Sequence, residues 1–268
     1  MTKASEVVIN TQDAVAPLGV IAMDGAKELG EKIVQIHDVH KIYSANQKSK
    51  RSSKSEAAPD VIALDGVTAD IERGEFTAIA GPSGSGKTTL LNLIGCLDTI
   101  TSGKIFVDGE DISVMNAMQK TLVRREKIGF IFQSYNLIPV LTAQENVEMA
   151  LQLLNKFSKE EVQERSFKIL EEVGLGGMQN RKPMQLSGGQ QQRISIARAL
   201  VKEPAVILAD EPTANLDSKN SQMIIELMKK LNADHGITCI FSTHDKMVME
   251  NVRRIIRIRD GKIVAGEN

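Results

Sequence analysis

The fold of this chain is decided by the stretch Gly81-Pro82-Ser83-Gly84-Ser85-Gly86-Lys87-Thr88. The apolar run at 76–80 precedes it and predicts a short buried strand, and a helix is expected to begin near Lys87. Glycines in such a loop let the backbone N–H groups point inward, and the following helix presents the positive end of its dipole. The stretch therefore predicts a phosphate-binding loop, called the phosphate loop below, with Lys87 reaching the β and γ phosphates of a nucleotide.

A second run, Leu186-Ser187-Gly188-Gly189-Gln190, is called the signature below. Gly188 and Gly189 at a helix N-terminus would form an anion site, yet the chain has no second phosphate loop to use it. A two-fold dimer with two composite sites resolves that mismatch. Together the phosphate loop and the signature resemble the nucleotide-binding subunit of ATP-binding-cassette (ABC) transporters.

Composition excludes several classes of function. The 33 basic and 34 acidic residues give a net charge of −1, so no global field attracts nucleic acid, and no nucleic-acid partner is expected. Cys96 and Cys239 have neither metal-site nor CxxC spacing, which predicts two buried, reduced thiols in a cytosolic protein. Because the sequence has no run of about 18 apolar residues, any membrane pathway must belong to another polypeptide.

The domain organisation follows from shifts in composition. Residues 1–32 show no strong periodicity and are interpreted as a flexible N-terminal extension, to which the sequence gives no purpose. A single ATPase domain is expected over 33–266. The Ser/Lys-rich segment 44–60 predicts a basic surface loop, which either contacts lipid headgroups or a partner or is a solvated hairpin tip.

Periodicity places strands at 33–39, 61–64 and 67–71 before the phosphate loop. The middle segment, 133–193, is helical in character, and its Thr142–Glu145 and Ser158–Glu161 spacings fit capping boxes. Gly174 is expected to end the second of these helices.

The last third alternates helix and strand and ends in a hairpin. Strands are expected at 205–208 and 238–241, with a helix at 221–231 between them. The hairpin joins 255–259 to 262–265 through the turn Asp260-Gly261. The predicted fold is α/β: a P-loop NTPase core (33–132 and 194–266) with an antiparallel β subdomain and an inserted α-helical subdomain (133–193) that carries the signature.

Acidic residues follow the strand that comes after the signature. Asp210 and Glu211 lie where an open α/β sheet places ligand chemistry, so Asp210 is expected to hold Mg²⁺ with Thr88, and Glu211 to polarise the attacking water. Two adjacent acids often mark a solvated turn, but the apolar residues before them argue against it. His244 follows the next strand, which predicts a position near the γ phosphate, although a lone histidine is more often structural.

The resemblance to ABC ATPases assigns further roles. It implies that Gln133 belongs to a Q-loop that ligates Mg²⁺ and orients water, that 214–217 form the D-loop, and that Tyr43 stacks on adenine. The implied catalytic residues are Lys87, Gln133, Glu211 and His244, and the implied Mg²⁺ ligands are Thr88, Gln133 and Asp210. The residues implied to contact the nucleotide are Tyr43, Gly81, Pro82, Ser83, Gly84, Ser85, Gly86, Lys87, Thr88, Thr89, Gln133, Ser187, Gly188, Gly189, Gln190, Asp210, Asp217 and His244.

Finer motifs at 92–98, 101–103, 135–137 and 186–193 resemble the branch of lipoprotein-releasing, macrolide-exporting and antimicrobial-peptide-exporting ATPases. That resemblance implies a homodimer that sandwiches ATP, a separate membrane permease, and a location at the inner face of the cell membrane. A cell-division regulator or an importer ATPase stays open as an alternative. The chain lacks the inserted coiled coils, zinc modules or second cassette of DNA-repair and translation relatives.

Overall fold

The computed structural model of the protein describes residues 30–44 and 59–264. Most of the predicted extension (1–32) and of the basic loop (44–60) therefore lies outside the described residues. The strands are β1 (Lys32–Tyr43), β2 (Val61–Glu72), β3 (Phe76–Ala80), β4 (Ser102–Val107), β5 (Glu110–Asp111), β6 (Ile128–Ile131), β7 (Val206–Asp210), β8 (Thr238–Thr243), β9 (Arg254–Arg259) and β10 (Lys262–Val264). The helices are α1 (Lys87–Ile94), α2 (Ala117–Lys127), α3 (Ala143–Gln152), α4 (Lys159–Glu172), α5 (Gly188–Leu200), α6 (Ser218–His235) and α7 (Lys246–Asn251).

Two sheets form the framework. The larger has the order β10-β9-β3-β8-β7-β6, in which β9, β3, β8, β7 and β6 run parallel. The smaller is antiparallel and has the order β2-β1-β4-β5. These sheets and the helical segment α3–α5 confirm the predicted α/β fold class.

The parallel strands are apolar because helices or strands cover both faces of their sheet. Every residue of β3 and β8 is buried, as in strands that pack on two sides. One apolar cluster contains Phe76 and Phe241, whose rings meet edge to face with centroids 4.7 Å apart. A second cluster fills the space between the sheets and includes Ile36 and Ile79. Parallel strands bring their carboxyl ends to one edge of the sheet, where the candidate site lies.

Local signals in the sequence placed many of these elements correctly. The predicted capping boxes are present at Thr142 and Ser158, where each side chain accepts a hydrogen bond from the backbone N–H three residues later. Both residues of the Asp260-Gly261 turn have positive φ, as the predicted two-residue hairpin requires. Cys96 and Cys239 are buried free thiols.

Other elements differ from the sequence prediction. β2 is one strand through Gly66, whose positive φ of 74° lets the chain pass where two segments were predicted. α6 begins earlier and ends later than predicted, between caps at Asp217 and Gly236. β4, β5, α2 and α7 were not predicted. Within 30–44 and 59–264, no helix has the length and apolarity needed to cross a bilayer.

The division of the chain into core and helical subdomain stays a prediction. α5 runs from Gly188 to Leu200, so the proposed boundary at 193–194 falls inside this helix.

Candidate active site

The phosphate loop has the close-packed backbone that its glycines require. A Cβ at Gly81 would lie 2.1 Å from the Ile258 carbonyl oxygen, and a Cβ at Gly86 would lie 2.6 Å from that of Ala63. Gly86 also has φ 105° and is the N-cap of α1. A side chain at either position would displace the neighbouring backbone. The loop can therefore follow this path only with glycine at 81 and 86.

Lys87 lies inside the curve of this loop. Its Nζ donates hydrogen bonds to the carbonyl oxygens of Gly81 (2.8 Å) and Pro82 (2.9 Å), and the residue is only 6% exposed. The Ser85 hydroxyl is buried in the same loop and has no hydrogen-bond partner among the described residues. A shielded ammonium beside an unsatisfied hydroxyl fits an anionic ligand, because charge interactions strengthen where water is excluded.

Thr88 and Asp210 are brought together as predicted. The Thr88 hydroxyl donates to Asp210 Oδ1 at 3.0 Å, although the two residues are far apart in the chain. The Ser242 hydroxyl donates to the same oxygen, because Asp210 of β7 pairs with Ser242 of β8. Carboxylate and hydroxyl oxygens are the ligands that Mg²⁺ prefers, so this group can hold the ion.

Ser242 was not among the predicted site residues. Its only signal in the sequence is its place near the end of an apolar strand, two residues before His244.

Glu211 and His244 form the second polar pair at this edge. The Glu211 Oε1 atom lies 2.7 Å from His244 Nδ1. The Glu211 backbone has φ 45°, and its N–H donates to the Ser242 carbonyl. The Glu211 side chain is mostly buried, whereas that of His244 is exposed. A carboxylate held in one orientation by an imidazole can act as a general base toward water.

The Q-loop contacts the D-loop through backbone groups. Gln133 follows β6, and its carbonyl oxygen accepts a 2.9 Å hydrogen bond from the Asn215 side chain. The Tyr135 hydroxyl donates to the Asn215 carbonyl oxygen at 3.5 Å. The role of Gln133 as a magnesium ligand stays a prediction.

Arg198 fixes the shape of the Q-loop. Tyr135 and Asn136 both have positive φ, at 61° and 48°. The Arg198 guanidinium, on α5, donates to the carbonyl oxygens of both residues, at 2.8 and 2.6 Å. Burial lowers the pKa of Arg198 from its usual range. No motif in the sequence pointed to this arginine, because its partners are backbone atoms of a distant loop.

The signature begins α5, as predicted. Ser187 is the N-cap, and it forms a reciprocal capping box with Gln190. A Cβ at Gly188 would lie 2.9 Å from the Tyr135 hydroxyl, and one at Gly189 would lie 3.0 Å from the Asn220 side chain. Within 30–44 and 59–264, no hydrogen bond joins the signature to the phosphate loop of the same chain.

Asp217 of the D-loop caps α6. Its carboxylate accepts hydrogen bonds from the backbone N–H (2.9 Å) and the side-chain amide (2.7 Å) of Asn220. These bonds lower the pKa of Asp217. A contact between Asp217 and nucleotide stays a prediction.

Tyr43 ends β1 beside the phosphate-loop helix. Its hydroxyl donates to Asp98 Oδ2 at 2.8 Å, and the Thr89 hydroxyl is close enough to influence the Tyr43 pKa. The residue remains 43% exposed. The aromatic side chain is therefore at the rim of the candidate site, although its contact with adenine stays a prediction.

Comparison with known proteins identifies similar chains. The family model described as ABC transporter matches residues 64–214. An uncharacterized ABC transporter ATP-binding protein of Thermotoga maritima is 46% identical over 87% of this chain and 94% of its own length. The uncharacterized ABC transporter ATP-binding protein MJ0796 of Methanocaldococcus jannaschii is 48% identical over 76% of this chain and 88% of its own.

A longer relative is the macrolide export ATP-binding/permease protein MacB of Syntrophobacter fumaroxidans, which is 42% identical over 86% of this chain. The present chain spans only 31% of that protein. Among solved structures, a dimer of the ATP-binding cassette MJ0796 in a post-hydrolysis state with ADP and Pi superposes with a TM-score of 0.77. That chain is 43% identical, and the match covers 88% of this chain and 98% of the other.

Proposed function

Since this chain belongs to the ABC transporter family, we propose that it couples ATP hydrolysis to the movement of a separate membrane permease. The chain is an ATP-binding subunit with ATPase activity, homologous to export-type ATPases. The roles of individual residues and the identity of the partner are the proposal. The observation that carries it is the meeting of Thr88–Asp210 and Glu211–His244 at one sheet edge.

Each side chain at this edge has a distinct task in the proposal. Lys87 binds the β and γ phosphates, and Thr88, Asp210 and Gln133 hold Mg²⁺. When bound there, the ion would supply positive charge to offset that of the phosphate oxygens. Glu211 accepts a proton from the attacking water, and His244 keeps the Glu211 carboxylate pointed at that water.

The signature acts on a second copy of the chain in this proposal. Ser187, Gly188 and Gly189 lie at the N-terminus of α5, where backbone N–H groups and the helix dipole favour an anion. Because they make no hydrogen bond to their own phosphate loop among the described residues, we infer that they close over the ATP of a partner copy. The dimeric MJ0796 structures are of a similar protein and support this arrangement.

A cleft between α2 and the helical segment suits the permease. Its apolar walls come from Phe130, Phe132, Met149, Ala150 and Leu153. Its cations are Arg124, Arg125, Arg198 and Lys202, and none of the described residues that line it is acidic. We infer that an amphipathic segment of the permease with acidic side chains docks here, beside the Q-loop.

Export is the favoured direction, because MacB is named as a macrolide export protein and is similar over most of this chain. In this proposal the protein works at the inner face of the cell membrane, held there by its permease.

The catalytic half of the proposal is tested with Glu211→Gln. We expect ATP turnover to fall by about 10²–10⁴-fold, as for loss of a general base, and the variant to form an ATP-dependent dimer in size-exclusion chromatography with light scattering. The control is Lys87→Ala in the Glu211→Gln background, which should remain monomeric with ATP. A Glu211→Gln protein that stays monomeric and turns over ATP at the wild-type rate would contradict the proposal.

The permease half is tested by gentle detergent extraction of the Glu211→Gln protein with ATP, followed by identification of what co-purifies. A membrane permease is expected, and Leu153→Lys, in the cleft, should abolish its recovery. Val114→Lys is the matched control, because Val114 is also exposed but does not line the cleft. Recovery of a soluble partner, or of none, would favour a regulatory ATPase.

A further inference from the structure

Three side chains beside α1, those of Lys41, Tyr43 and Asp98, each contact the other two. Lys41 and Tyr43 are two residues apart on β1, and both side chains reach Asp98 on the same side of the strand. The Lys41 ammonium lies 4.6 Å from the centre of the Tyr43 ring. Lys41 is only 7% exposed although it carries a charge. A buried lysine over an aromatic face is a stabilising cation–π contact.

Asp98 holds both of the other side chains. Its Oδ1 accepts from Lys41 Nζ and its Oδ2 accepts from the Tyr43 hydroxyl, each at 2.8 Å. Lys41 also donates to the Thr99 carbonyl, and the Thr99 N–H donates back to Asp98 Oδ1. The position of the Tyr43 ring is therefore set at its hydroxyl by Asp98 and at one face by Lys41.

The ionisation of the group favours this arrangement at neutral pH. Burial alone would raise the pKa of Asp98, but the hydrogen bonds from Lys41, Thr99 and Tyr43 outweigh it, and the pKa lies below its ordinary value. Burial and the contact with Asp98 raise the pKa of Tyr43, so its hydroxyl stays a donor.

We propose that Lys41 and Asp98 are positioning residues that hold the Tyr43 ring with one face open for the base of the bound nucleotide. The inference rests on the proposed function, in which Tyr43 stacks on adenine. Lys41 covers one face of the ring, and the residue as a whole is still 43% exposed, so a base has access to the ring from the side away from Lys41. A ring fixed before binding loses less freedom when a base stacks on it, which strengthens the stack.

The test distinguishes the contribution of the base to binding affinity from that of the phosphates. Isothermal calorimetry compares the affinities of Mg²⁺-ATP and Mg²⁺-tripolyphosphate, which has phosphates but no base. Lys41→Met keeps the apolar stem and removes the charge, and Asp98→Asn offers one oxygen where Asp98 offers two. We expect each variant to weaken ATP binding by about tenfold, which is within the range found when a stacked aromatic side chain is removed. Tripolyphosphate binding should be unchanged. KM for ATP should rise while kcat at saturation is retained.

Two comparisons make the result specific. Lys32 is on the same strand as Lys41 and pairs with Asp70 of β2, so Lys32→Met removes an ion pair outside the group and should change neither affinity. In a Tyr43→Ala background there is no ring to position, so Lys41→Met should weaken ATP binding no further.

Several results would overturn the positioning role. These are an equal loss of ATP and tripolyphosphate binding in Lys41→Met, an undiminished effect of Lys41→Met in the Tyr43→Ala background, or no effect of either variant. A wild-type protein that binds neither ligand would overturn the proposed function and this inference with it.

Discussion

The Nδ1 atom of His244 lies 2.7 Å from Oε1 of Glu211, across the gap between the ends of β7 and β8. The tautomer with a proton on Nδ1 donates this hydrogen bond to the carboxylate. Among the described residues no hydrogen bond is made by the second oxygen of Glu211, so that oxygen can face water. The Glu211 backbone has φ 45°, a conformation that residues other than glycine rarely adopt. The orientation of Glu211, the proposed catalytic base, therefore depends on both the His244 side chain and an uncommon backbone conformation.

Removing His244 should lower turnover more than binding. In His244→Ala the Glu211 carboxylate loses the donor that orients it, so we expect kcat to fall by about 100-fold with little change in KM. Steady-state ATPase assays over a range of ATP concentration measure both. His235→Ala is the control. His235 ends α6 and also pairs with a glutamate, Glu172 of α4, but it is not among the site residues. A raised KM with unchanged kcat would assign His244 to binding.

The positive φ of Glu211 should lower the free energy of unfolding of any variant that carries a Cβ at this position, relative to glycine. Glu211→Ala and Glu211→Gly lose the same side-chain contacts, but glycine adopts φ 45° without strain. We expect the glycine variant to be more stable than the alanine variant by about 1 kcal/mol, measured by urea unfolding. At Ala209, in β7, Ala209→Gly should lower stability. Equal stability of the two Glu211 variants would show that the backbone there is relaxed.

Gly95 is required for steric reasons alone. Its φ of −76° is ordinary, but a Cβ would lie 2.0 Å from the Phe130 ring. Gly95→Ala should cost about 1–3 kcal/mol, as for overpacking of a core, in chemical denaturation. Phe130→Leu in the same chain should recover part of this loss, since it removes the atom in contact. Gly176→Ala, where the nearest atom is 3.8 Å away, should be nearly neutral.

The free energy of unfolding at acid pH should depend on the ionisation of Asp108. Burial alone would raise its pKa, but hydrogen bonds from Lys127 and Arg73 outweigh it and hold the pKa below the ordinary value of 3.8. Since the folded pKa is lowered, this contribution is present above pH 3.8 and is lost as pH falls through the folded pKa. Asp108→Asn should be less stable than wild type near neutral pH, and the difference should shrink below pH 3.8. Parallel unfolding curves across that range would contradict the prediction.

Features that depend on neighbouring residues could be read from the sequence. The phosphate loop, the capping boxes at Thr142 and Ser158, and the Asp260-Gly261 turn are set by hydrogen bonds and φ angles within a few residues. The segment order also gave the fold class, because apolar runs that alternate with helices predict a parallel sheet. Element ends were less predictable: α6 extends to caps at Asp217 and Gly236, and β2 continues through Gly66, where a break was predicted.

Contacts between distant segments were decided by the tertiary structure. Strand β8 inserts between β3 and β7, which brings Ser242 to Asp210 and His244 to Glu211. The sequence supplied the candidate acids and His244, but it did not identify Ser242, because strand order in a sheet differs from order along the chain. Arg198 was missed because its partners are backbone carbonyls, which every residue carries. The sequence by itself thus determined the local chemistry, and only long-range packing decided which groups meet.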